Sequence, residues 1–117
     1  MSKLNPIAQK WVEALRSGKY EQVTGALRSG DGFCCLGVAC ELAIESGVDI
    51  RRTDDYHAYT RVVPNRLLPP VVGEWLRLKG SEADWRLANK NDGGSTFAEI
   101  ADLIEQRAEE LFVDGAA

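Results

Sequence analysis

From Phe33 to Ile44 the chain reads Phe-Cys-Cys-Leu-Gly-Val-Ala-Cys-Glu-Leu-Ala-Ile, and Glu41 is the one charged residue in the run. A helix built from it is apolar around almost its whole circumference, which is stable only when other elements surround it. Gly30-Asp31-Gly32 supply turn chemistry before the run and Ser46-Gly47 stop signals after it. A central core helix over 34–46 follows, and the rest of the chain has to cover it.

The cover must come from 117 residues, enough for one domain over 1–117 that buries about 65% of its unfolded surface. Apolar runs stay well short of the ~18 residues that span a bilayer, so no membrane segment is expected. No basic start leads into an apolar stretch with a small-residue cleavage site, so the sequence predicts a cytoplasmic protein. Three cysteines, two of them adjacent, make a poor disulfide framework, because neighbours rarely bridge and an odd count leaves a thiol over. Reduced thiols packed in a core are the expectation.

The net charge of −4 is unevenly spread. Residues 1–30 carry Lys3, Lys10, Arg16, Lys19 and Arg28 against Glu13 and Glu21. Residues 97–117 carry six carboxylates against Arg107. Duplex nucleic acid calls for a concentrated basic face, which this acidic chain lacks. A small anionic ligand needs only a few converging cations and stays within reach.

In chain order, Asn5-Pro6 is a helix start, with Asn as cap and Pro at the first helical position. Ile7, Trp11, Val12 and Leu15 recur with helical spacing to Ser17-Gly18, which predicts a helix over 5–17. Tyr20, Val23, Thr24 and Leu27 suit an extended segment interrupted by Gly25, so 20–33 is read as a short strand or ordered loop. Residues 48–64 mix Ile50, Tyr56, Tyr59, Val62 and Val63 with Arg51-Arg52 and Asp54-Asp55, a pattern for short strands or a surface loop. Pro69-Pro70 fit the first turn of a third helix over 69–78, and Ala83 to Lys90 adds a further turn around Trp85. Thr96 and Glu99 have capping-box spacing, and Phe97, Ile100, Ala101, Ile104, Ala108 and Leu111 form one apolar stripe, predicting a helix over 97–112. Asp114 to Ala117 read as a frayed end. Together these elements predict an α+β, mostly helical single domain of about four helices with a little β structure.

Three stretches carry a resemblance. They are Gly32-Phe33-Cys34-Cys35-Leu36-Gly37-Val38-Ala39-Cys40, the opening Lys10-Trp11-Val12-Glu13-Ala14-Leu15-Arg16-Ser17-Gly18-Lys19-Tyr20, and Leu87-Ala88-Asn89-Lys90-Asn91-Asp92 running on to Phe97-Ala98-Glu99-Ile100-Ala101-Asp102. With Leu68-Pro69 and Trp75 between them, they resemble a group of small bacteriophage and prophage proteins. The resemblance covers most of the chain outside 48–65. It implies life in a host cytoplasm and a role against host defence, and it brings no chemistry.

Candidate chemistry rests on a few side chains. Cys34 and Cys35 stand at a helix start, where amides and dipole lower a thiol pKa and cysteine hydrolases place their nucleophile. With His57 as base and Asn65, Asn89 or Asn91 to orient it, the order Cys, His, Asn imitates a papain-like triad. The competing reading, small buried hydrophobes in a short chain, weighs more. Metal binding is not expected, because the spacing of Cys34, Cys35 and Cys40 misses that of zinc sites. Asp54, Asp55 and His57 suit a solvated acidic loop as well as a weak ion site.

A ligand pocket is the leading expectation. Asn91-Asp92-Gly93-Gly94-Ser95-Thr96 precedes a helix start and can cradle an anion. Arg16, Lys19, Tyr20 and Gln22 bring cations, a ring and an amide to the loop after the first helix, and Arg28 lies near in sequence. Converged, Arg16, Lys19, Tyr20, Gln22, Arg28, Asn91, Asp92, Ser95 and Thr96 would hold a nucleotide-like anion without any cofactor or metal. Solvated loop charges and a capped helix are the plainer account of the same residues. The expected function is a phage-encoded, non-enzymatic binding protein that sequesters a nucleotide-derived ligand or host factor, as a homo-oligomer that builds the pocket jointly. A cysteine hydrolase and a module docking its acidic last helix on a host protein are the alternatives.

Overall fold

The computed structural model describes residues 4–55, 58–62 and 67–113. Helix α1, Pro6–Arg16, starts where Asn5 and Pro6 direct, with Asn5 Oδ1 accepting from the Ala8 amide at 2.8 Å. The other end of that side chain donates to the Leu76 carbonyl at 3.1 Å, so one buried amide caps α1 and fastens it to a later helix end.

Strands β1 (Glu21–Gln22), β2 (Arg28–Ser29) and β3 (Gly32–Phe33) form a small sheet in the order β1-β3-β2. β3 runs parallel to β1 and antiparallel to β2. The extended character of 20–33 is thus real, although only two residues of each strand are laddered. Helix α2, Cys35–Glu45, is the core helix the apolar run demands, with every residue from Cys35 to Glu41 buried. It contacts α1 and the two helices that follow it in the chain.

Within 48–64 the described residues make a single antiparallel bridge, Arg52 to Tyr59. Helix α3, Pro70–Leu76, is shorter than the predicted 69–78 because Arg77 turns left-handed, at φ 67°. Helix α4, Gly80–Asp92, is a full 13-residue element where the sequence showed one turn. It lacks a side-chain cap at Lys79, and its buried stripe of Ala83, Leu87 and Asn91 ends on a polar residue, which hides the apolar period.

Helix α5, Phe97–Gln106, carries the predicted capping box complete. The predicted run to residue 112 breaks at Arg107 and resumes as α6, Ala108–Leu111. The break lets both Leu111 and Phe112 be buried, with Phe112 edge-on to Trp11 and bridged to Leu78. Predicted features at Tyr56, His57, Val63, Asn65 and Asp114 to Ala117 lie outside the described residues. The whole is an α+β domain with a helical core, and no helix among the described residues is long and apolar enough to cross a membrane.

Candidate functional site

The thiols decide which chemistry the chain can perform. Cys34 occupies the N-cap position of α2, 5% exposed, and Cys35 and Cys40 are fully buried. Burial pushes the Cys34 thiol up to about 11, against the opposing pull of the Gly37 and Leu36 amides. Burial raises Cys35 and Cys40 well above the ordinary thiol range as well. A nucleophilic cysteine needs the opposite shift. The Cys35 thiol points at the Leu87 carbonyl, 3.6 Å away, and its own carbonyl accepts from the Trp11 indole at 3.0 Å. The proposed base, His57, and the alternative orienting residue Asn65 lie outside the described residues.

Gly37 explains the spacing of the cysteine motif. A side chain there would put its Cβ 1.9 Å from the Leu27 carbonyl oxygen, and that carbonyl accepts from the Cys34 amide at 3.1 Å. The β2 approach therefore lies directly on the first turn of α2, and glycine is what permits it.

Residues from the expected anion cradle do meet. Asn91, with no exposed surface, accepts from Gln22 Nε2 at 2.9 Å and from the Cys35 amide at 3.1 Å, and donates to the Val23 carbonyl at 2.8 Å. Gln22 also donates to the Ser95 carbonyl at 2.8 Å and accepts from the Phe97 amide at 3.1 Å. Asp92 accepts from the Gly25 amide at 3.0 Å. Thr96 and Glu99 cap each other's amides across the first turn of α5. The amides of Thr96, Phe97 and Glu99, which would have faced an anion, are thus bonded to their own chain, and Gln22, Asn91, Asp92 and the Ser95 carbonyl form a clamp joining β1, α2, α4 and α5.

The cations lie elsewhere. Arg16 reaches Asp102 and Glu105, each at 2.6 Å, and these two carboxylates push its guanidinium up. Arg28 donates to the Thr53 and Ala58 carbonyls at 2.6 and 3.3 Å and lies over the Tyr59 ring. Lys19 is exposed, its ammonium 5.6 Å from the Tyr20 ring centre, and Tyr20 packs edge-on against Phe33. The nine residues expected in one pocket therefore divide between a bonded clamp, the cap of α5, an ion pair, strand β2 and the loop after α1.

One polar constellation escaped the sequence reading. Glu41, 5% exposed, accepts from the Tyr59 hydroxyl at 2.6 Å and from Arg52 Nε at 3.1 Å, and Arg52 Nη2 closes a fork on the same carboxylate. Desolvation and this carboxylate raise the Tyr59 phenol far above its usual range. The signal was present in the sequence, since Glu41 is the lone charge in the apolar run, but its partners stand 11 and 18 residues away. The network fastens Arg52, Thr53, Ala58 and Tyr59 across α2, with Arg28 bonded to the Thr53 and Ala58 carbonyls.

The clefts are modest. One of about 90 Å³ is bordered by Gly25, Leu27, Cys34, Leu36, Ala88 and Asp92, well below the ~300–1,000 Å³ of ordinary ligand pockets. A second, of about 140 Å³, has Glu74 and buried Asp84 among its lining residues. The third, about 320 Å³, lies between α4 and α6 and is bordered by Lys79, Glu82, Ala83, Arg86, Glu110 and Leu111. Among the described residues no group of three or more His, Cys, Asp or Glu side chains is placed to hold a metal.

No curated protein and no solved structure matches the chain. A family model does match, over residues 4–108, which takes in every element from α1 to α5 and the thiol-rich helix at the centre. The chain therefore belongs to the family described as a domain of unknown function, DUF8296.

Proposed function

We propose that this chain is a phage-encoded, non-enzymatic binding protein that acts by occupying a host factor and so counters a host defence. The observation that carries this reading is that the reactive groups of the sequence serve the fold. The three thiols are buried and shifted away from the thiolate, which speaks against a nucleophile. Arg16 and Arg28 are bonded within the chain, so a protein is better supported as the captured factor than a nucleotide, which would need free guanidinium groups. The phage context comes from the likeness of the cysteine and Asn-Asp motifs to small phage and prophage proteins.

A second reading, capture of a small anionic ligand, draws on Lys19 and Tyr20. They pair an exposed ammonium with an aromatic ring at the loop after α1.

The test is affinity capture from a bacterial lysate, repeated in reverse with the recovered protein tagged, and a titration of the two purified proteins. A saturable complex with Kd below about 10 µM bears the reading out. A parallel thermal-shift screen covers cyclic and adenosine-derived nucleotides. A melting temperature that rises with nucleotide and is insensitive to the protein, with the rise lost in Lys19→Ala, transfers the reading to the anion. Turnover of any substrate abolished by Cys34→Ser, or no partner of either kind, overturns both.

A further inference from the structure

Trp85 is 49% exposed and Val113 44%, and they are the large hydrophobic side chains left open to solvent among the described residues. Both sit close in the chain to residues of one groove, without lining it themselves. Trp85 is next to Arg86 on α4, Val113 is two residues beyond Leu111, and Arg86 and Leu111 both border the 320 Å³ cleft. The groove's other wall is a short antiparallel ribbon, held by the Lys79 amide on the Leu111 carbonyl and the Val113 amide on the Arg77 carbonyl, each at 2.7 Å. An exposed tryptophan beside a groove is the kind of anchor that dominates contact energies.

The charges say what fits. Lys79 and Arg86 face Glu82 and Glu110 around the groove, two charges of each sign. A phosphate, an acidic peptide or nucleic acid would seek an excess of cations there, and a basic partner an excess of carboxylates. A face carrying both signs can complement itself under a two-fold rotation, in which residue i meets j and j meets i, when the rotation brings an unpaired charge of one sign onto one of the other. The groups left without counter-charge agree with this. Arg86 turns to Glu110 at 2.9 Å, although Glu82 lies one turn away on the same helix. Among the described residues Glu82 has no ion pair, and the Lys79 ammonium donates to the Glu109 carbonyl and to no carboxylate.

We infer that this groove is a homodimer face: a second copy of the chain docks on it, with Trp85 and Val113 covered at the centre and Glu82 of each copy meeting Lys79 of the other. The dimer stands apart from the capture of a host factor, and either exists without the other.

Sedimentation velocity on the full chain, from about 1 µM to about 1 mM, reads the assembly directly. The expected mass rises from one chain to two, with Trp emission moving to the blue as Trp85 is covered. Trp85→Ala holds the protein monomeric over the range, and Val113→Ser does the same should Trp85→Ala fail to fold. Glu82→Lys weakens the dimer about tenfold or more. The exchange Glu82→Lys with Lys79→Glu restores it, which a general loss of solubility or folding does not imitate. A monomer at every concentration, an assembly larger than two, or a dimer indifferent to Trp85 and to the charge exchange each overturns the inference.

Discussion

The carboxamide oxygen of Asn91 accepts the backbone N–H of Cys35 at 3.1 Å, so the last turn of α4 supplies the cap that α2 lacks from its own Cys34 side chain. The same side chain holds Gln22 and the Val23 carbonyl, and none of it is exposed. Asn91→Ala strands a buried amide, a carbonyl and a glutamine at once, and the expected loss is about 2–4 kcal/mol by denaturant unfolding. Asn91→Asp costs as much or more, because it keeps the acceptor but buries a charge and loses the donor to Val23. A loss under about 1 kcal/mol for both contradicts the clamp.

Two glycines give a contrast free of polar groups. Gly37→Ala drives a methyl into the Leu27 carbonyl at 1.9 Å, backbone that cannot step aside without pulling the sheet off α2. Gly73, inside α3, has no atom within 4 Å of a Cβ. Gly37→Ala is expected to destabilise by more than about 2 kcal/mol. Gly73→Ala should gain up to about 1 kcal/mol from helix propensity. Melting of the two variants side by side checks the sign of each.

Glu41 is held by Arg52 and Tyr59, and the loss of either leaves a carboxylate in the interior with fewer donors. Arg52→Ala and Tyr59→Phe should each cost about 1–3 kcal/mol. Hydrogen exchange should show faster opening at 51–55 and 58–60 than at α1 in both variants, because the network fastens those residues locally. Equal acceleration everywhere would deny the segment this separate tether.

Stability should fall on the alkaline side. In the native state burial holds the Cys34 thiol up to about 11 and raises those of Cys35 and Cys40 well above the ordinary thiol range, whereas unfolded thiols ionise near ~8.5. Between these values the native chain binds more protons than the unfolded one, so the stabilisation is complete below about pH 8.5 and drains away as pH rises. Tyr59 adds to the same slope above pH ~10. Unfolding at a series of pH values, compared with a variant carrying Cys34→Ser, Cys35→Ala and Cys40→Ala, should show a shallower slope in the variant from about pH 8.5 to 10.

What could be read ahead of the structure was local. Asn5-Pro6, the Thr96-Glu99 box and the apolar run at Phe33 to Ile44 each announce an element through neighbours in sequence, and each forms it. Helix α4 was missed at its start because Lys79 offers no cap, and the break at Arg107 because its cause is distant, the burial of Phe112 against Trp11 and Leu78. The same distinction governs the candidate site. Residue types in the Asn91 to Thr96 turn suggested an anion cradle, but Gln22, about 70 residues earlier in the chain, fills it. Arg16 looked available until α5 brought Asp102 and Glu105 against it. Spacing reports which groups a turn presents; it does not report which distant groups arrive to satisfy them.

Timed alkylation of the native protein at neutral pH, followed by mass spectrometry, weighs the central claim that the thiol-rich helix is scaffold. The account predicts negligible labelling of Cys34, Cys35 and Cys40 until denaturant is added, and three labels promptly afterwards. Rapid stoichiometric labelling of Cys34 in the folded chain, faster than a free thiol at that pH, would mean an activated nucleophile and contradict it.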